Sequence, residues 1–197
     1  MMQTALRLAL SFLMCFVLTA QAQSTNPQVK FVTSAGEFIV EVYPDKTPKT
    51  AENFLSYVRD GHYNGTLFHR VINNFMVQGG GYDTKYNEKN TRPPIKHEGA
   101  EAKANGGLRN TVGTLSMART NNPHSASAQF FINVKDNDFL DHQSTTSQGW
   151  GYVAFGKVIS GMDVINRIKA LPTGPGGPFP TDVPQTPVVI QSATLVK

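Results

Sequence analysis

Short segments in which apolar and polar side chains alternate run through most of this sequence. In Glu37–Tyr43, for example, Phe38, Val40 and Val42 occupy every second position, which is the period of a β-strand. Glycine, asparagine and proline residues separate such segments and are typical of turns. We predict eight strands: Val29–Thr33, Glu37–Tyr43, Thr66–Ile72, Phe75–Gly79, Thr114–Ala118, Gln129–Val134, Tyr152–Val158 and Val188–Val196. Eight strands are enough to close a barrel without free edges, so the pattern predicts a mainly β fold.

Two further segments show the apolar spacing of an amphipathic helix. The first lies between Pro48, which suits the first helical position, and Gly61, which suits a helix end. Its apolar residues fall on one face, namely Ala51, Phe54, Leu55 and Val58. The second helix is predicted near Met162–Lys169. Six of the 12 prolines lie in Pro172–Pro187, and because a predicted strand follows, we expect an ordered loop around the barrel rather than a disordered linker.

Residues 1–22 have the pattern of a secretory signal. Arg7 supplies a basic start, an apolar run covers residues 8–20, and small residues precede a cleavage point after Ala22. The run is shorter than the roughly 20 residues that a membrane-spanning helix needs, although an uncleaved anchor stays as the alternative. We therefore predict a cleaved signal over residues 1–22 and one exported domain over residues 23–197.

Cysteine usage and charge argue against several classes of function. The single cysteine, Cys15, leaves with the predicted signal, so the mature domain has neither a thiol nucleophile nor cysteine ligands for zinc. The chain has 18 basic and 14 acidic residues, and loss of Arg7 leaves only a mild positive excess. Because no stretch is strongly basic, nucleic-acid binding is not predicted.

Histidine and serine motifs give no support for metal or hydrolase chemistry. The five histidines are scattered, at positions 62, 69, 97, 124 and 142. The pair His97 and Glu98 lacks the second histidine of a helical zinc site. A serine hydrolase would need a Gly-x-Ser-x-Gly elbow, which the sequence does not contain. We therefore predict an activity that requires no cofactor.

Two neighbouring predicted strands carry polar side chains among apolar ones. On the two-residue period of a strand, Phe68, Arg70 and Ile72 share one face. Met76 and Gln78 likewise share a face of the next strand. A lone arginine on a strand often pairs with a surface acid, and that role stays open for Arg70.

Adjacent phenylalanines mark another strand. Phe130 and Phe131 must point to opposite faces, so that one can line the interior and the other lies outside, beside Gln129. A single exposed apolar residue is ordinary on a protein surface. Several that converge with an arginine would instead form a pocket.

Five segments together resemble the cyclophilin family of peptidyl-prolyl isomerases. They are Phe68–Ile72, Phe75–Gly80, Ser116–Ala118, Gln129–Ile132 and Phe155–Val158. The resemblance runs from about Val29 to the C-terminus and is closest to exported bacterial members. It implies a closed eight-stranded antiparallel β-barrel capped by two α-helices, with the substrate groove on the outer face of the barrel.

The resemblance also implies which residues act in that groove. Arg70 resembles the catalytic arginine of the family, and Gln78, which with Gln129 matches its substrate-contacting amides, and Phe75 complete the implied catalytic set. The residues that fall where the family forms its proline pocket are Phe75, Met76, Phe131, Leu140 and Tyr152. Ala118, Arg119 and Thr120 match the strand end beside which the substrate backbone lies. The implied substrate-binding residues are Met76, Ala118, Arg119, Thr120, Gln129, Phe131, Phe139, Leu140 and Tyr152. His69 is tempting as an acid or base, but it lies next to Arg70 on the opposite face, and we expect a structural role.

Two positions depart from the family pattern. Phe139 stands where many members carry tryptophan, and Trp150 does not replace it because it lies in an insertion-like stretch, residues 141–151. Loss of the indole donor implies weak binding of the drug cyclosporin. Tyr152 stands where many members carry histidine, which implies an altered substrate preference rather than loss of function.

The resemblance implies a cofactor-free peptidyl-prolyl cis-trans isomerase that assists the folding of exported proteins in the periplasm. Its expected partners are proline-containing peptides and unfolded or folding proteins. We expect no nucleic-acid partner, no stable membrane association after signal cleavage, and a monomeric state.

Two rival functions stay open at this point. One is a proline-binding chaperone module with little catalytic activity, although Arg70 beside an intact pocket favours the enzyme. The other is a lipocalin-like carrier of small apolar ligands. A carrier needs an open barrel interior, whereas Phe130, Ile132, Val153 and Phe155 predict a filled one.

Overall fold

The computed structural model describes residues 26–196, and the predicted signal over residues 1–22 therefore lies outside the described residues. The strands in this range are β1 (Gln28–Thr33), β2 (Gly36–Val42), β3 (Thr66–Leu67), β4 (Arg70–Ile72), β5 (Met76–Gly79), β6 (Thr114–Met117), β7 (Phe130–Asn133), β8 (Ala154–Ser160), β9 (Thr173–Gly176), β10 (Phe179–Pro184) and β11 (Val189–Leu195). The α-helices are α1 (Pro48–Arg59), α2 (Gly99–Ala104) and α3 (Met162–Lys169), and a short 3-10 helix covers Asp138–Leu140. Within residues 26–196, no helix is both long and apolar enough to cross a membrane.

One curled antiparallel sheet of nine strands forms the body of the protein, in the order β3-β11-β1-β2-β8-β6-β7-β5-β4. Its two edge strands, β3 and β4, are separated in the chain by only Phe68 and His69. The predicted fold class is confirmed, but the predicted closed barrel of eight strands is wrong in detail. The segment Thr66–Ile72 is two short strands, because its first part pairs with β11 and its second part pairs with β5.

Aromatic side chains fill the interior of the curled sheet. Phe31 stacks on Phe38 with ring centroids 4.8 Å apart, and Phe130 contacts Phe54 edge to face at 5.9 Å. Such pairs contribute beyond the area that they bury. A filled interior leaves no room for the ligand of a lipocalin-like carrier, as the sequence predicted.

Helices α1 and α3 pack against the sheet where the sequence predicted them. Helix α3 has the predicted bounds and buries Val164, Ile165 and Ile168. Helix α2 was not predicted. Only Gly99 and Ala102 among its six residues are buried, so the sequence shows no apolar stripe there. The described part of the chain therefore has three α-helices rather than the expected two.

The proline-rich segment forms a hairpin rather than the predicted loop. Strands β9 and β10 pair antiparallel as a separate two-stranded sheet. Proline is tolerated there because the outer edges of a two-stranded hairpin need no backbone donor. Phe179 fastens the hairpin to the main sheet, since its ring stacks on His69 at 5.3 Å and meets Tyr82 edge to face at 5.1 Å. This packing keeps the hairpin beside β4.

Candidate active site

Backbone register brings three of the predicted site residues into one row across the sheet. Arg70 on β4 lies opposite Gln78 on β5, and Gln78 lies opposite Phe131 on β7. Directly opposed residues project to the same face of a sheet. The row therefore assembles a cation, an amide and an aromatic ring on the outer face.

The two phenylalanines of β7 divide between the faces as predicted. Phe130 belongs to the main core, whereas Phe131 belongs to a separate apolar cluster with Met76 and Leu140. The prediction that Phe68 shares a face with Arg70 is wrong. Phe68 is 1% exposed and lies in the main core, because the chain is not in a strand between β3 and β4 and the alternation is interrupted there.

Arg70 is held at the end of a chain of side-chain amides. Its Nη1 donates to Oε1 of Gln78 at 3.5 Å, and Nε2 of Gln78 donates to Oε1 of Gln129 at 3.0 Å. The carboxylate of Asp182, on β10, lies 3.8 Å from Nε of Arg70. The Arg70 side chain is 42% exposed, so its charge stays accessible from solvent.

The separate apolar cluster lies on the same face of the sheet as this arginine, because Gln78 stands between Arg70 and Phe131 in the row. Met76, Phe131 and Leu140 are buried. The partly buried residues packed against them are Ile72, Phe75, Ala118 and Tyr152. The structure thus brings together every residue assigned to the proline pocket: Phe75, Met76, Phe131, Leu140 and Tyr152.

Phe139 lies at the rim rather than inside the pocket. Its side chain is 71% exposed and stacks on Phe75 with ring centroids 5.9 Å apart. It therefore widens the apolar surface outward from Phe75 and offers no hydrogen-bond donor there.

The three residues at the strand end predicted to flank the substrate, Ala118, Arg119 and Thr120, make different contacts. Arg119 braces the pocket wall, since its guanidinium lies 4.6 Å from the ring centroid of Tyr152 and its Nε donates to the carbonyl of Gly151 at 3.0 Å. Thr120 instead bonds within its own loop, where its hydroxyl donates to Oγ of Ser125 at 2.8 Å. Ala118 packs on the apolar cluster.

A buried asparagine network beneath the pocket was missed by the sequence analysis. Nδ2 of Asn137 donates to the carbonyl of Phe75 at 2.9 Å and to Oδ1 of Asn133 at 2.8 Å. Asn133 is fully buried on β7, and asparagine is uncommon inside a strand. That unusual position was the available signal, and the network fixes the backbone of a pocket residue.

The same network extends to the segment that follows Leu140. Asp141 accepts hydrogen bonds from the backbone N–H of Asn110 at 2.7 Å and from Nε of Arg109 at 2.8 Å. Although burial raises it, the pKa of Asp141 is lowered overall by these hydrogen bonds from Asn110 and Arg109. An ionised Asp141 therefore anchors the chain just after the pocket leucine.

His69 faces away from the pocket. Its ring lies between Tyr82 and Phe179, its Nδ1 has no hydrogen-bond partner, and burial lowers its pKa to about 4. A neutral ring packed between two aromatic residues is consistent with the structural role that the sequence analysis gave it.

Trp150 organises the insertion-like stretch after the pocket. Three histidine rings surround it: His97 at 5.3 Å, His124 at 5.1 Å and His142 at 5.8 Å between centroids. Among residues 26–196, no group of three or more His, Cys, Asp or Glu side chains is arranged to hold a metal ion. A cavity of about 390 Å³ next to this stretch is lined by Lys103, Arg109, His142 and Tyr152 among others, and shares only Tyr152 with the predicted site residues.

Comparisons with known proteins agree with this geometry. Residues 28–195 match the family described as cyclophilin type peptidyl-prolyl cis-trans isomerase/CLD. The chain is 52% identical over 167 residues to peptidyl-prolyl cis-trans isomerase B of Escherichia coli, covering 85% of this chain and 98% of the relative. It is 54% identical over 168 residues to a peptidyl-prolyl cis-trans isomerase of Streptomyces antibioticus, with the same coverage of 85% and 98%.

Solved structures give the same result. A cyclophilin type isomerase of Cryptosporidium parvum superposes with a TM-score of 0.64 at 25% identity, covering 87% of this chain and 98% of that one. A second structure of that protein, determined in the presence of the dipeptide Ala-Pro, gives a TM-score of 0.63. The match over nearly all described residues, together with the arginine that shares a sheet face with an apolar cluster, means that this chain belongs to the cyclophilin-type peptidyl-prolyl cis-trans isomerases.

Proposed function

We propose that this isomerase accelerates rotation about X–Pro bonds of exported proteins in the periplasm, with Arg70 as its main catalytic residue. The observation that carries the proposal is the placement of Arg70 on the same face of the sheet as the apolar cluster of Met76, Phe131 and Leu140, which would receive the proline ring. A guanidinium in apolar surroundings can stabilise the change of charge at the prolyl nitrogen that accompanies rotation of the amide.

Amide resonance sets the barrier that such an enzyme must lower. Rotation about a peptide bond costs about 18–20 kcal/mol, and X–Pro bonds exchange in tens to hundreds of seconds without a catalyst. No covalent bond is broken, so the reaction needs only a weaker resonance and a site that holds the twisted amide. A reduction of the barrier by about 4 kcal/mol already gives roughly a thousandfold acceleration.

Arg70 supplies a permanent donor for the prolyl nitrogen. That atom gains lone-pair character as the amide twists, so a hydrogen bond from the guanidinium is stronger in the transition state than in either ground state. The apolar surroundings of the pocket exclude water and strengthen this interaction.

The remaining residues hold the two ends of the bond. Phe75, Met76, Phe131, Leu140 and Tyr152 enclose the pyrrolidine ring, which is apolar. Gln78 uses its oxygen to accept from Arg70 and one N–H to donate to Gln129, which leaves its second N–H for the substrate carbonyl. The amide then anchors one end while the other rotates.

Export of the chain rests on the signal pattern of residues 1–22 and on the similarity to bacterial relatives. We expect the mature protein to begin at Gln23, to be recovered with the periplasmic fraction, and to act as a monomer on proline-containing segments of folding proteins. We expect neither nucleic acid nor the membrane as a stable partner. N-terminal sequencing of the fractionated protein and its sedimentation would test these points.

Catalysis is tested by the cis-to-trans conversion of a short X–Pro peptide. The mature chain should accelerate it without added metal or cofactor, and the Arg70→Ala variant should keep the fold but lose most of the rate. Arg167→Ala is the matched control, because Arg167 is an exposed arginine paired with Asp163 on α3. Peptide binding without acceleration by the folded wild type would favour the proline-binding chaperone.

A further inference from the structure

Two groups from different elements hold the guanidinium of Arg70. Gln78 accepts from Nη1 at 3.5 Å, and Oδ2 of Asp182 lies 3.8 Å from Nε. In the described part of the chain, Nη2 takes part in no hydrogen bond or ion pair. The two contacts therefore engage two nitrogens of the planar group, Nη1 and Nε.

Asp182 has an unusual backbone conformation at the position of this contact. Its φ is +67°, in the left-handed region that few residues other than glycine adopt and that aspartate and asparagine tolerate best. The pairing of β10 with β9 also shifts register between Phe179 and Val183, so Asp182 lies in an irregular stretch of the hairpin. Residues in the left-handed region are frequent at functional sites.

Aromatic packing fixes the hairpin relative to the arginine. Phe179 stacks on His69 at 5.3 Å, and His69 immediately precedes Arg70 in the chain. Val183, on the other side of Asp182, is buried. The backbone that carries Asp182 is thus held on both sides and cannot move away from β4 without disrupting this packing.

We propose that Asp182 is a positioning residue that holds the guanidinium of Arg70 in the orientation required for isomerisation, an inference that rests on the proposed catalytic role of Arg70. An arginine side chain loses conformational entropy when it is fixed in one orientation. If Asp182 fixes Arg70 before the substrate binds, this loss of entropy does not add to the activation free energy of the reaction. At 3.8 Å the carboxylate attracts the cation without forming a short hydrogen bond, so the donors stay available. Gln78 and Asp182 divide the task, one by hydrogen bonding and the other by charge.

The test removes the charge and keeps the backbone. Asp182→Asn retains a residue that tolerates the left-handed conformation. We expect kcat/KM for a short X–Pro peptide to fall about threefold to tenfold, as for loss of a partly exposed ion pair that also misplaces a reacting group. Asp163→Asn makes the same change of charge at an exposed ion pair on α3 and should leave kcat/KM unchanged.

A double-mutant cycle separates positioning from general damage to the fold. In an Arg70→Gln background, measured at higher enzyme concentration, Asp182→Asn should have no further effect, because the group that it positions is gone. In NMR spectra, the Arg70 Nε–H signal should shift or broaden in Asp182→Asn while backbone amide signals away from the hairpin stay in place.

Three results would overturn the proposal: unchanged kcat/KM in Asp182→Asn, an equal loss in both Arg70 backgrounds, or an Arg70 Nε–H signal identical to that of the wild type. The NMR comparison does not require turnover. A wild type that is itself inactive would therefore count against Arg70 catalysis, while the Nε–H signal would still decide whether Asp182 holds the guanidinium.

Discussion

The carboxylate of Glu98 accepts a hydrogen bond from the backbone N–H of Thr50 at 2.7 Å, although 48 positions separate the two residues in the chain. The N–H of Lys49 and the hydroxyl of Thr50 donate to the same carboxylate, at 3.0 and 2.7 Å. Thr47 makes no side-chain cap at this helix end. Glu98 therefore caps α1 from a distant segment and complements the positive end of the helix dipole.

We predict that Glu98→Gln destabilises the protein by about 2 kcal/mol, since hydrogen bonds to a charged acceptor are the strong ones. Urea unfolding measured by circular dichroism would give the change. Glu101→Gln, an exposed glutamate on α2, is the control and should have little effect. Equal stability of the wild type and Glu98→Gln would contradict the capping role.

The two phenylalanines of β7 should respond in opposite ways to truncation. Phe130→Ala opens a cavity in the main core and should cost about 3–5 kcal/mol of stability. Phe131→Ala removes a pocket wall, so we expect a smaller loss of stability and a fall of about tenfold or more in kcat/KM. Unfolding curves and peptide kinetics on both variants would check this. A Phe131→Ala enzyme with normal kinetics would exclude Phe131 from the substrate pocket.

Stability should fall in mild acid because two histidines are buried in the neutral form. Burial is the main cause that lowers the pKa of both His69 and His97 to about 4, whereas a histidine in the unfolded chain titrates near its ordinary pKa of 6.5. Between pH 4 and 6.5 the unfolded chain binds more protons than the folded protein. The free energy of unfolding that depends on the two neutral histidines is therefore fully present above pH 6.5 and is lost as the pH falls towards 4.

At pH 5 the expected loss relative to pH 7 is about 2 kcal/mol for each histidine. Unfolding free energies at the two pH values would measure it. His69→Phe replaces an aromatic ring packed between Tyr82 and Phe179, and it should remove about half of the pH dependence. If the variant loses as much stability as the wild type, His69 does not contribute to it.

Phe139 offers a direct test of the departure from the family pattern. Its ring is exposed at the rim and stacks on Phe75, so a larger indole can be accommodated there. Phe139→Trp adds an N–H donor, and we expect cyclosporin affinity to rise about fivefold to tenfold, the value of one good hydrogen bond with added apolar area. Isothermal titration calorimetry would measure it, with kcat/KM as a check that the pocket is intact. No gain in affinity would show that the missing donor is not what limits binding.

Local patterns were sufficient for much of the fold. Alternation predicted the strands around Phe38 and the opposite faces of Phe130 and Phe131, because the two-residue period is a property of the extended backbone itself. The 3.6-residue period predicted α1 and α3 for the same reason. Helix α2 was not recognised, since a short helix with two buried small residues leaves almost no periodic signal.

Sequence patterns alone therefore predicted the mainly β fold and two of its amphipathic helices, and the motif resemblance predicted which residues act in the groove. The three-dimensional structure was needed to show that Thr66–Ile72 divides between two partners, that the proline-rich segment is a hairpin, and that Asp182 faces Arg70. It also revealed the asparagine network under Phe75 and the capping of α1 by Glu98. The reason is physical: these features depend on groups that are distant in the chain and meet only when the sheet has curled, and no local period records such contacts.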